Sequence, residues 1–151
     1  MALIERLRED MKQAMKAREA GKLRLSVIRM ALAALKNKQI ELGRELEDDD
    51  VVAVLHGELK RRREAAREYR ELGRDDVAEV LEQEAAVIVE YLPQQLDERE
   101  IRELAREVIA ELGASGPRDM GKVMGAIMPR VRGRADGKEV NRIVRELLQS
   151  Q

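Results

Sequence analysis

The run Asp97-Glu-Arg-Glu-Ile-Arg-Glu-Leu-Ala-Arg-Glu-Val-Ile-Ala-Glu-Leu112 places apolar side chains at Ile101, Leu104, Ala105, Val108, Ile109 and Leu112. That spacing gathers them on one face of an α-helix and leaves charged residues on the other. Asp97 and Glu100 stand three apart at its start, where each side chain can accept from the other's backbone N–H. Gly113 to Pro117 break the pattern.

The same period recurs on both sides. Leu3, Leu7, Met11 and Met15 mark a first helix ending near Gly21, and Leu25, Ile28, Leu32 and Leu35 a second reaching about Gly43. Asp48 to Asp50 supply a cap and first-turn carboxylates for a third helix with Val52, Leu55, Leu59, Ala66 and Tyr69 on one stripe. Asp75 is expected to cap a fourth, carrying Val77, Leu81, Ile88 and Tyr91, which Pro93 stops. Helix six is read over roughly Arg118 to Met128, ended by Pro129 and Gly133, and Asp136 with Glu139 caps a seventh. No alternating pattern of strand length competes. The fold class is therefore all-α: a four-helix N-terminal subdomain at residues 1–93 and a small three-helix subdomain at residues 94–151, divided at Pro93 to Leu96.

Composition narrows the chemistry. The chain has no Cys, Thr, Phe or Trp, three serines (Ser26, Ser115, Ser150), one histidine (His56) and two tyrosines (Tyr69, Tyr91). A serine nucleophile needs a base beside it, and zinc sites draw on several His or Cys. Neither a GxxxxGK[ST] loop nor a GxSxG elbow is present. No catalytic residue, metal or cofactor is expected. No apolar run approaches the roughly 20 residues needed to cross a bilayer, and MALIERLRED becomes charged within five residues, unlike a secretory signal. No membrane partner and a cytoplasmic location are expected.

Charge is unevenly spread. Residues 1–40 carry net +6, residues 41–116 net −11 and residues 117–151 net +4, so a chain of net −1 holds two basic regions around an acidic middle. The second basic region holds the candidate site. Arg130, Arg132 and Arg134 alternate with Val131 and Gly133, and guanidinium groups suit phosphate. Lys138 opens the seventh helix, whose free amides also favour anions. Lys122 and Arg142 extend the basic surface, and Arg145 continues it. Gly121 and Gly125 lie four apart on one helix face, where each glycine costs about 1 kcal/mol against alanine. Either a neighbouring helix packs on that small face, or a ligand backbone approaches it. Gly133 and Gly137 complete the set of close-approach glycines. The bland alternative for the cations is a solvated surface.

Other features read as structural. Lys60-Arg61-Arg62-Arg63 is followed by Glu64, Glu68 and Glu71 at pairing distance, which suggests a salt-bridged surface. Glu84 falls between Leu81 and Ile88 on an apolar stripe and needs a partner, an arginine of a facing helix. His56 reads as an ordinary helix residue. Both tyrosines fall at core positions, so base stacking is not expected and RNA contacts would read phosphates, 2′-hydroxyls and shape.

The run DMGKVMGAIMPRVRGRADGKEVNRIVRELL, preceded by YLPQQL, closely resembles the GatB/YqeY family, and LREDMKQAMKA with LRLSVIRMALAALKNKQIE is similar as well. The family pattern falls on Gly121, Lys122, Gly125, Gly133, Arg134, Asp136, Gly137 and Lys138. The resemblance implies a free-standing relative of the tail domain of the B subunit of glutamyl/aspartyl-tRNA amidotransferase, a tail associated with engaging tRNA. It implies tRNA as partner and association with carbon–nitrogen ligase activity using glutamine as amide donor. The residues present give that chemistry no nucleophile and no ATP site, so an accessory tRNA-binding module is the leading expectation. One alternative is a protein-interaction module docking on amidotransferase subunits or another partner through the two glycines and Met120, Met124 and Met128. The other is a ligase in its own right.

Overall fold

The structure, a computed structural model, describes residues 2–150. Those residues form seven α-helices and two short 3₁₀ turns, with no strand among them: α1 Ala2–Lys16, a turn Arg18–Gly21, α2 Lys22–Leu42, α3 Asp48–Glu71, α4 Asp75–Val89, α5 Glu98–Leu112, a turn Pro117–Asp119, α6 Met120–Val131 and α7 Gly137–Gln149. The chain divides between Leu92 and Pro93 into two compact units, each with its own core.

In the first unit α1 pairs with α2 and α3 with α4, and α2 packs on both members of the second pair. Leu7, Ile28, Leu35, Leu55, Leu59 and Ile88 meet in the middle, nearly devoid of solvent exposure. Fully burying an aliphatic side chain of this size contributes about 1.5–3 kcal/mol. Several ties across helices are polar. Arg70 of α3 clamps Glu82 of α4 at 2.8 and 2.9 Å. Arg24 of α2 does the same to Glu90, just past α4, at 3.2 and 2.8 Å. Tyr91 donates to Asp10 under the Arg6 guanidinium, 4.5 Å from its ring centre. Burial and then the bond to Asp10 push the phenol up to about 12.

The partner required by Glu84 is Arg62, whose Nε donates to it at 3.2 Å across α3 and α4. Arg62 also lies 3.7 Å from Glu58 one turn earlier on α3. The basic run is thus not wholly a surface: Arg62 and Glu58 are buried, and Glu58 holds Arg61 as well. Breaking such a group by removing one partner is costly because the other charges stay behind.

Several local expectations shift by a residue or a turn. Ala14, not Met15, faces inward on α1, and Met15 is half exposed. On α3, Val51 is fully buried beside the half-buried Val52. Glu47 rather than an aspartate caps α3, in a reciprocal box with Asp50. Tyr69 lies on the exposed side, so the core position expected for it is wrong. Helix α6 does not stop before Pro129 but runs through it to Val131. An exposed proline in the last turn forfeits one hydrogen bond there, and burying Val131 offsets that.

Two of these contacts can be tested directly. A Cβ on Gly21 would stand 2.2 Å from the Ala14 carbonyl oxygen. Gly21→Ala should therefore lower stability by about 1–3 kcal/mol in urea melts. Asp50 accepts from Arg44 and from the Glu47 backbone N–H, and these bonds lower its pKa from the usual 3.8 to about 2. A carboxyl shifted down stabilises the fold above its ordinary value and loses that contribution as pH falls through the shifted one. The difference in melting temperature between the wild type and Asp50→Asn should shrink as pH drops from 3.8 toward 2.

Candidate nucleic-acid interface

In the second unit α5, α6 and α7 pack pairwise around Val123, Ile127, Val131, Val140, Ile143 and Val144, all with no measurable exposure. Each helix contributes one apolar stripe. On α6 that stripe is Val123, Ile127 and Val131, four apart.

The turn between α6 and α7 is fastened to the segment that precedes α5. Arg134 donates through Nε to the Gln94 carbonyl at 3.0 Å and through Nη1 to the Arg130 carbonyl at 3.3 Å. The Leu96 N–H donates to the Arg134 carbonyl at 2.9 Å, and Gln95 Nε2 to the Gly133 carbonyl at 2.7 Å. Gly133 has φ +74°, a left-handed backbone that a side chain would strain. Asp136 caps α7 by accepting from the Lys138 N–H at 3.1 Å. Gly133, Arg134 and Asp136 thus take part in bonds that fix the turn, a structural role that Gly133 and Arg134 have beside the ligand contact expected of them.

Two further candidate arginines are occupied by carboxylates. Arg130 lies 3.5 Å from Glu107 and 3.6 Å from Glu111, one turn apart on α5. Arg142 reaches Glu98, Glu139 and Glu146 at 3.2, 3.5 and 2.9 Å, and Arg102 shares Glu98 and Glu146. Its two main bonds, to Glu98 and Glu146, raise the pKa of Arg142, and the two arginines hold both carboxyls below their usual range. These pairs are exposed, and water and salt screen them, so they add little to stability. Even so, their charge is locally balanced, and the positive surface expected at Arg130 and Arg142 is largely cancelled.

Three candidates are left over. Lys122, Arg132 and Lys138 are exposed and form no ion pair with any described residue. Arg118, which the sequence pattern does not single out, shares that condition at the turn leading into α6. Its position one turn before Lys122 is the signal that points to it. Helix α6 itself carries no carboxylate.

The glycines separate in the same way. A Cβ on Gly137 would meet the flexible end of Met128 at 3.6 Å, an ordinary contact. Gly121 and Gly125 have nothing within 4 Å of where a Cβ would stand. Neither therefore serves helix packing among the described residues, and that expectation fails. They are offset by two residues from Val123 and Ile127, which turns them about 200° away from the core at roughly 100° per residue. Pro129 also removes the N–H that would ordinarily bond the Gly125 carbonyl. Met120, Met124 and Met128, offered as an adaptable docking surface, instead pack partly against the unit's own core.

Elsewhere, His56 is half-buried on α3 and has a partner. Ser115 takes part through its backbone N–H, bonded to Asp119 at 2.9 Å. Among the described residues no three His, Cys, Asp or Glu side chains come together as a metal site, and no helix is long and apolar enough to cross a membrane.

A family model described as Yqey-like protein matches residues 4–148. The chain is also similar to three proteins named altered inheritance of mitochondria protein 41, mitochondrial. That of Clavispora lusitaniae is 34% identical over 133 residues, covering 86% of this chain and 74% of the relative. That of Pyrenophora tritici-repentis is 27% identical over 149 residues, covering 97% and 81%. That of Lachancea thermotolerans is 30% identical over 117 residues, covering 76% and 62%. All three names say mitochondrial, which overturns the cytoplasmic location expected from the sequence.

The open surroundings of Gly125 generate a direct check. Gly125→Ala should raise stability by about 0.5–1 kcal/mol in chemical denaturation, because the helix gains a better former and meets no clash. A drop in stability would show that the position is packed after all.

Proposed function

The chain belongs to the Yqey-like family, and we propose that it acts as a non-catalytic, tRNA-associated accessory module that grips RNA backbone with the outer face of α6. The observation that carries this reading is the occurrence of two features on α6 and the turn that leads from it into α7. Gly121 and Gly125 leave a helix face without side chains, and Lys122 on the same helix, Arg132 just past its end and Lys138 at the start of α7 have no carboxylate partners among the described residues.

The chemistry fits a polyanion backbone. Missing Cβ atoms let a sugar–phosphate chain approach the helix closely. Unpaired lysine and arginine bind phosphate without first giving up an internal ion pair. The Gly125 carbonyl, deprived of its usual intrahelical donor, offers an acceptor to a 2′-hydroxyl, the group that separates RNA from DNA. Base reading has little to work with, since Tyr91 is buried and aromatic platforms are scarce. The methionine-based docking alternative has less to offer a partner, because those side chains are partly covered by the unit's own core.

Fluorescence titration with bulk tRNA at several salt concentrations tests the proposal. Affinity should fall as salt rises. Lys122→Ala with Arg132→Ala and Lys138→Ala should reduce the log–log salt slope by about one unit for each phosphate no longer engaged. Arg142→Ala should change it much less, because its charge is already balanced. Undetectable binding, binding indifferent to salt, or a triple variant that binds like the wild type would each refute the reading. Recovery of an amidotransferase subunit after nuclease treatment, without tRNA affinity, would transfer the function to protein docking.

A further inference from the structure

The first unit carries a groove that the RNA reading does not use. Between α1 and α2 lies a cavity of about 490 Å³. Its apolar lining is Ile4 and Met11 from α1 with Leu32 and Leu35 from α2. Three of these are only partly covered by the chain, and Leu35 forms the buried floor. Arg8, Lys12 and Lys36 also line it, and all three are exposed. None of them forms an ion pair with a described residue. No carboxylate lines this cavity.

From this arrangement the geometry points to the α1–α2 groove as a binding site for a single-chain anionic amphiphile, such as a fatty carboxylate or an alkyl phosphate. Cationic side chains from both helices flank an apolar trough, as a headgroup with one hydrocarbon chain requires. Burying that chain removes apolar surface from water, and the three cations gain an anion none of them has among the described residues. The volume lies within the range of about 300–1,000 Å³ usual for small-ligand sites.

The alternative occupant is an acidic amphipathic helix of another protein. The apolar stretch from Ile4 to Met11 is only ~10 Å long along the helix axis. Beyond its Ile4 end, the adjoining cavity is lined by Glu5 and Glu45. An acidic helix longer than two turns would run over those carboxylates, whereas a ligand with one headgroup need not. The charge pattern along the groove therefore favours the amphiphile.

The test is titration of the full chain, labelled at isoleucine, leucine and methionine methyl groups, with dodecyl phosphate below its micelle concentration. Saturable binding with methyl shifts centred on Ile4, Met11 and Leu32 is expected. Dodecyltrimethylammonium should not saturate the same signals. Lys12→Glu with Lys36→Glu, both exposed changes that keep the melting curve, should weaken dodecyl phosphate about tenfold or more. Absence of saturation, equal binding of the cationic detergent, or unchanged affinity in the double variant would overturn the assignment. So would binding to phosphatidic acid vesicles without binding of the monomeric amphiphile, which would mean adsorption to a charged surface. A glutamate-flanked helical peptide that binds where dodecyl phosphate fails would give the groove to a protein partner instead. Failure of tRNA binding would leave this result untouched, since none of these residues belongs to α6.

Discussion

Three hydrogen bonds between residues 94–96 and the α6–α7 turn set the arrangement of the second unit. Arg134 reaches the Gln94 carbonyl, the Leu96 N–H and the Gln95 side chain answer from the other side, and Gly133 bends the chain as no other residue would comfortably do. A further bond from Arg134 to the Arg130 carbonyl ties the turn to the end of α6. With that turn fixed, α6 can present Val123, Ile127 and Val131 to the core and turn Gly121 and Gly125 outward. The glycine- and arginine-rich segment thus has two separate causes. Its second half builds the fold, and its first half is left facing solvent.

Charge follows the same division. An arginine held by two or three carboxylates must exchange those partners for a phosphate, and the gain is the difference between two similar interactions. Arg142 and Arg130 are in that position. Lys122, Arg132 and Lys138 are not, so they can attract a polyanion without such an exchange. Residue counts treat these groups alike, which is why a segment of net +4 overstates its cationic surface. Several of the pairing partners lie on α5, far away in sequence, and no local spacing reveals them.

The helices themselves are largely legible in the sequence. Asp97 and Glu100 form the reciprocal cap expected from their spacing, with bonds of 2.8 and 3.1 Å, and Glu84 finds its arginine across the helix pair. The period identifies a face but not its exact centre, so it points Met15 and Tyr69 inward although both lie outside. Arg62 shows the converse. A basic run looks like surface until a neighbouring helix brings Glu84 over it. Proline at residue 129 looks like a stop, whereas near a helix end it costs little, and the buried Val131 beyond it decides. For Gly121 and Gly125 the answer is present in the spacing: a two-residue offset from the apolar stripe turns a position to the far side of the cylinder.

Whether the outer face of α6 is the surface that meets RNA is best asked by mapping backbone amide shifts of the whole chain during titration with tRNA. The largest changes should cluster at Gly121, Lys122 and Gly125 and continue to Arg132 and Lys138, with the Arg102–Arg142 face little affected. Changes centred on Arg142, or tRNA binding that leaves the α6 amides unmoved, would contradict it.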